Sequence, residues 1–222
     1  MPTCARHWTL RSESLSSPAS YGRVILPAVD SLIETRRARW SCDLAKVSAA
    51  VANYCDHMEH NEPVELDWIT GPGQRLREIA CEVAADEGLD LRALYAARLR
   101  AIEARNPLGT KLSPDGGEAV EGASTWRELQ LAQAAHDRYY HPDVSGLTKA
   151  DQLRHYAFHV AKLAGAYAEI ADATIDIEDF RCRRLPDTLL FGLKLATVTG
   201  KRLPETVLGD RQGIERQTLR AA

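Results

Sequence analysis

The stretch Arg184-Leu-Pro-Asp-Thr-Leu-Leu-Phe-Gly-Leu-Lys-Leu-Ala-Thr-Val-Thr-Gly200 decides the fold class. Pro186 suits the first turn of a helix, where its missing N–H has no partner to lose, and Gly200 suits the stop. Between them Leu189, Leu190, Phe191, Leu193, Leu195, Ala196 and Val198 leave the helix apolar nearly all round. Such a helix is covered on several sides, so other helices must pack about it. Asp187 and Lys194 lie two turns apart on roughly one face, and a charge drawn into the interior has to be paired or face a cavity.

Working back from this helix, Leu153, Tyr156, Val160, Leu163, Tyr167 and Ile170 recur at helical spacing and predict a helix from Thr148 or Lys149 to about Ala173. A further helix is predicted from about Thr125 to Tyr140, stopped by Pro142. In the first half, Trp40, Leu44, Val47, Val51, Tyr54 and Met58 step by four and three, which predicts one long helix or two in line between Val29 and Met58. Pro72 and Gly73 mark a fresh start, with a helix running to Gly88. Asp90 caps the next, which ends at Asn106-Pro107 because the residue before proline is pushed out of the α region. No β-branched alternation is convincing.

The expected architecture is all-α: a bundle of about six or seven helices in one domain spanning 23–210. Its two halves, 23–106 and 123–209, are joined by a Gly/Pro-rich loop at 107–122 and preceded by a mobile tail at 1–22.

With 28 Lys and Arg against 31 Asp and Glu the chain carries a formal charge of −3, which argues against a general nucleic-acid binder. At 222 residues, 45% apolar and 27% charged, a core is affordable without a metal or disulfide staple. No apolar run of about 18 residues suggests a membrane span. Cys4, Cys42, Cys55, Cys81 and Cys182 are odd in number and form no C-x-x-C pair, which fits a reduced compartment and buried small side chains. The expected location is cytoplasmic.

Candidate chemistry gathers in the second half. Four of the seven histidines, His136, His141, His155 and His159, fall within 24 positions. His155 and His159 are one helical turn apart and can ligate a metal or grip a phosphate, with Lys162 supplying positive charge. Asp187 is the candidate site acid and third metal ligand, and Lys194 a phosphate contact. Arg181, Arg183 and Arg184 form a basic cluster at the start of the same helix, whereas Arg36, Arg37 and Arg39 read as a solvated face.

The Arg184–Gly200 stretch, followed by Lys201-Arg-Leu-Pro-Glu205, resembles the last core helix of MazG-like nucleoside triphosphate pyrophosphohydrolases, an all-α family. In that family an E-x-x-D pair opens this helix and E-E-x-x-E lies on the preceding one. Here Asp187 matches the final acid, but Arg184 replaces its partner, and Lys162, Leu163 and Ala166 stand where the three glutamates belong. The family's acids hold magnesium against phosphates. The resemblance therefore implies a nucleotide-handling site altered to His and Lys chemistry, or lost. On that reading Lys162, Arg184 and Lys194 hold phosphates and a histidine serves as general base.

Tyr140-His-Pro-Asp143, with Glu128, Leu129 and Ala132 before it and Ala166, Tyr167 and Ile170 after it, resembles the J-domain of Hsp40 cochaperones. That family's opening Tyr-x-x-Leu-Gly-Val helix is absent, and His136 and Asp137 stand where apolar core residues belong.

Two expectations follow. An enzyme or binding protein for a nucleotide or other phosphorylated small molecule, with or without a divalent metal, requires His155, His159, Lys162, Asp187 and Lys194 to converge in a cleft. A helical interaction or accessory protein, a homodimer included, would instead splay them over an open face beside Ala161, Ala164, Gly165 and Ala168.

Overall fold

The computed structural model describes residues 28–65, 67–105 and 115–207, so the tail expected at 1–22 and much of the expected loop lie outside the described residues. In chain order the helices are α1 (Ala28–Glu59), α2 (Asp67–Asp86), α3 (Leu91–Arg105), α4 (Gly116–Gly122), α5 (Trp126–Tyr140), α6 (Pro142–Ser145), α7 (Lys149–Ala171), α8 (Ile177–Asp179) and α9 (Leu185–Val198). A wide π turn, Phe180–Arg184, carries α8 into α9. The protein is all-α: six long helices and three short ones, with no strand among the described residues beyond one isolated bridge, Thr125 to Val207.

Local chemistry sets most of these boundaries. Thr125 and Glu128 form a capping box at the start of α5, each satisfying the other's backbone N–H. The Thr148 side chain accepts from the Asp151 N–H at the start of α7, and Asp90 accepts from the Ala93 N–H before α3. α2 begins at Asp67, ahead of the start expected at Pro72, and takes the proline inside it. The loop expected at 107–122 is also corrected, because 116–122 is helical. Asp115 caps that turn by accepting from the Glu118 N–H at 2.8 Å, and Gly116 and Gly117 fit closely against His136 and Arg100.

α9 is the centre. It packs against α2 and α3 from the first half and α5 and α7 from the second, so the two halves share one core. Only Asp187 and Thr197 along it escape full burial. α1 runs antiparallel to α7, and Arg154 and Glu59 form an ion pair, Nε to Oε1 2.8 Å, where the end of one meets the start of the other. α5 rests on α4 and α9, and α7 on α1 and α9. The helices flanking His141–Asp143 are thus not packed on each other as the antiparallel pair that the J-domain resemblance implies. Among the described residues no helix is long and apolar enough to cross a membrane.

Candidate functional site

α3, α6, α7 and α9 leave a cleft of about 250 Å³ between them. Arg98, Ile102 and Arg105 come from α3, His141 and Val144 from the α5–α6 corner, His155 and His159 from α7, and Asp187, Leu190, Phe191 and Lys194 from α9. The spacing explains the assembly: Arg98 and Arg105 are two turns apart on one helix, as are Asp187 and Lys194 on another, so each helix presents two charged groups on one face.

Two ion pairs brace the walls. Arg98 holds Asp187 at two points, Nε to Oδ1 at 2.7 Å and an Nη to Oδ2 at 2.9 Å. Lys194 Nζ meets Asp137 Oδ1 at 2.8 Å, with side chains only 8% and 13% exposed. Asp137 is itself held by Gln133 Nε2 at 2.9 Å, and the Tyr95 hydroxyl donates to Gln133 Oε1. Burial works to raise the Asp137 pKa, but the Lys194 ammonium and Gln133 outweigh it and keep the carboxyl below its usual value. Lys194 also stands over the Tyr156 and Phe191 rings, 5.6 Å from each centroid, a cation–π arrangement that helps fix its ammonium.

The histidines here are neutral bases near neutral pH. Burial and then the His155 and Lys162 charges push His159 down to about 4. Burial and Lys194 lower His155 and His141 in the same direction. His159 stacks on Phe191 with centroids 4.7 Å apart, and His155 lies 4.8 Å from His159. Behind this wall His136 is buried between Glu103, 3.5 Å from Nε2, and Asp137, 3.9 Å from Nδ1, stacked on Tyr140.

Of the residues named from sequence, His155, His159, Asp187 and Lys194 line the cleft together. Lys162 does not line it: it is exposed two turns beyond His155 and acts on the histidines only through its charge. Arg184 turns back across the π turn to Asp179 at the end of α8, at 3.3 Å. As a metal set, His155, His159 and Asp187 are not brought together. Among the described residues no three His, Cys, Asp or Glu side chains are placed to hold an ion, and both Asp187 oxygens are taken by Arg98.

Sequence reasoning passed over Arg98 and Arg105, and it noted Asp137 and His141 without giving either a role. The double step on α3 and the polar His136-Asp137 pair inside an apolar pattern were the available signals.

Small residues of α7 face outward as well. Ala161, Gly165 and Ala168 are exposed, and Phe158 on the same helix is 71% exposed. Compared with family models, curated proteins and solved structures, the chain matches none.

Proposed function

We propose that the protein binds a nucleotide or another phosphorylated small molecule in the cleft, as a divergent MazG-like relative that meets phosphate with Arg and Lys in place of acid-held magnesium. The observation that carries this reading is convergence: Arg98, Arg105, Lys194 and three histidines line one cavity, with Asp187 the sole lining carboxylate among the described residues. The charged donors of Arg98, Arg105 and Lys194 suit phosphate oxygens, and Ile102, Val144, Leu190 and Phe191 offer an apolar wall to the rest of the ligand. If the bound ester is hydrolysed, a neutral imidazole at His155 or His159 is the base available to the attacking water.

Thermal melting of the full chain with mono-, di- and triphosphate nucleotides and inorganic phosphate tests this. A ligand at a hundred times its Kd adds about 2.7 kcal/mol, a rise of roughly 5–10 °C for a chain of this length. Arg105→Gln is expected to cut most of that rise while leaving the ligand-free melting unchanged, because Arg105 is exposed and pairs with no carboxylate among the described residues. If no phosphate compound moves the midpoint, the reading fails. The second reading, a helical partner or homodimer contact through Phe158, Ala161, Gly165 and Ala168, then takes its place, favoured by the exposure of that phenyl ring.

A further inference from the structure

Resting on that reading, we infer that the ligand is a small phosphomonoester carrying hydroxyl groups, of the sugar phosphate or nucleoside monophosphate class, and not a nucleoside triphosphate. Four observations lead there.

The first is charge. Lys194 is answered by Asp137 and Arg98 by Asp187, which leaves Arg105 as the lining cation without a carboxylate partner among the described residues. A phosphomonoester brings a charge of about −1.5 to −2 at pH 7, which Arg105, with Lys194 and Arg98 beside it in the lining, can meet. A triphosphate brings roughly twice as much, set down beside Asp187 and Asp137.

The second is the donor set. Enzymes that handle triphosphates spread that extra charge onto a divalent cation held by oxygen ligands. In this cleft Asp187 is the lining carboxylate, and both its oxygens are committed to Arg98. Among the described residues no other acid joins it in the lining.

The third is room. The cavity, about 250 Å³, falls below the range of roughly 300–1,000 Å³ that encloses drug-sized ligands.

The fourth is hydrogen-bond type. A neutral imidazole offers one donor and one acceptor, and His141, His155 and His159 each lie in the lining with their pKa values held down. The phosphoryl group of a monoester dianion has no proton to give those acceptors, and inorganic phosphate has at most one or two, whereas a sugar presents several hydroxyls. The histidines therefore read the hydroxylated body while the cations read the phosphate.

Isothermal titration calorimetry of the full chain with ribose 5-phosphate, AMP, inorganic phosphate and ATP, the last with and without millimolar magnesium, tests the inference. Ribose 5-phosphate or AMP is expected to bind at least about tenfold more tightly than ATP in either form, and tighter than inorganic phosphate by a similar factor. Tighter binding of magnesium–ATP than of both monoesters overturns the inference and leaves the anion-binding reading standing. Absence of heat with all of them overturns both. His155→Phe keeps the ring and removes its nitrogens, so it is expected to bring ribose 5-phosphate close to inorganic phosphate in affinity while inorganic phosphate itself binds as before. An unchanged gap between the two, in a variant that melts cooperatively, overturns the assignment of hydroxyl recognition to the histidines.

Discussion

On the side of α9 that meets α2, Gly192 stands against Arg77 and Gly73, and a Cβ there would lie 2.7 Å from Arg77 Cγ and 3.1 Å from the Gly73 carbonyl oxygen. The Arg77 guanidinium donates to the Gly73 and Gly192 carbonyls at 2.9 and 3.0 Å, and burial pushes its pKa down to about 10. On the side that lines the cleft, Asp187, Leu190, Phe191 and Lys194 keep the neighbouring helices apart, and two carboxylate pairs brace the gap. One helix thus meets α2 by giving up a side chain and meets the cleft by holding charged ones in place. Close packing serves stability, while the ion pairs serve position: a buried pair seldom outperforms an apolar replacement in stability, yet it fixes where an ammonium stands.

The largest effect separates these two roles. Lys194→Met leaves Asp137 buried without its cation and is expected to cost about 3–5 kcal/mol, read as a lower denaturation midpoint in urea. Adding Asp137→Leu removes the orphaned charge, so the double variant should regain most of the stability and still fail to bind phosphate compounds. Full recovery of binding in the double variant would show that the pair is structural only.

Acid should act next, through the histidines of the cleft side. His159 falls from an ordinary 6.5 to about 4 on folding, and His141 and His155 shift in the same direction. Between those values the unfolded chain binds more protons than the folded one. Stability from this source is therefore present above pH 6.5 and is lost as pH falls toward 4. Saturating ribose 5-phosphate should reduce that loss, because an anion beside the rings favours their charged form. Equal acid sensitivity in His159→Gln would remove the histidine as the cause.

The smallest effect concerns the α2 side and its contrast with an open helix face. Gly192→Ala overpacks by about 1–3 kcal/mol and recovers about 1 kcal/mol of helix propensity, a net loss near 1 kcal/mol. Gly165→Ala on α7, with nothing within 4 Å of its Cβ position, should gain up to about 1 kcal/mol. Opposite signs in thermal melting would confirm that the crossing, not glycine as such, fixes residue 192.

Local signals carried the helices well. The Thr125 and Thr148 caps, Pro142 after α5 and the stripe from Leu153 to Ile170 were legible because each depends on residues within a turn or two. α4 was not, since its three glycines and neighbouring proline signal a loop, and close fit against His136 and Arg100 is what accommodates Gly116 and Gly117. The site was half legible. Asp187 and Lys194 stood out as charges on an apolar helix, and His155 and His159 as a pair. Lys162 has nearly the same helical phase as His155 and still lies outside the cleft, because phase gives a direction while the covering helix sets where along it a wall exists.

The sequence by itself determined an all-α chain with a central buried helix, and which of its polar groups needed a reason to be there. Tertiary structure alone decided the partners. Arg98 finds Asp187 across 89 positions and Asp137 finds Lys194 across 57, separations at which no periodicity informs the choice. An ion pair needs opposite charges a few ångströms apart, and only the packing of α3, α5 and α9 brings these to that distance while leaving a space beside them.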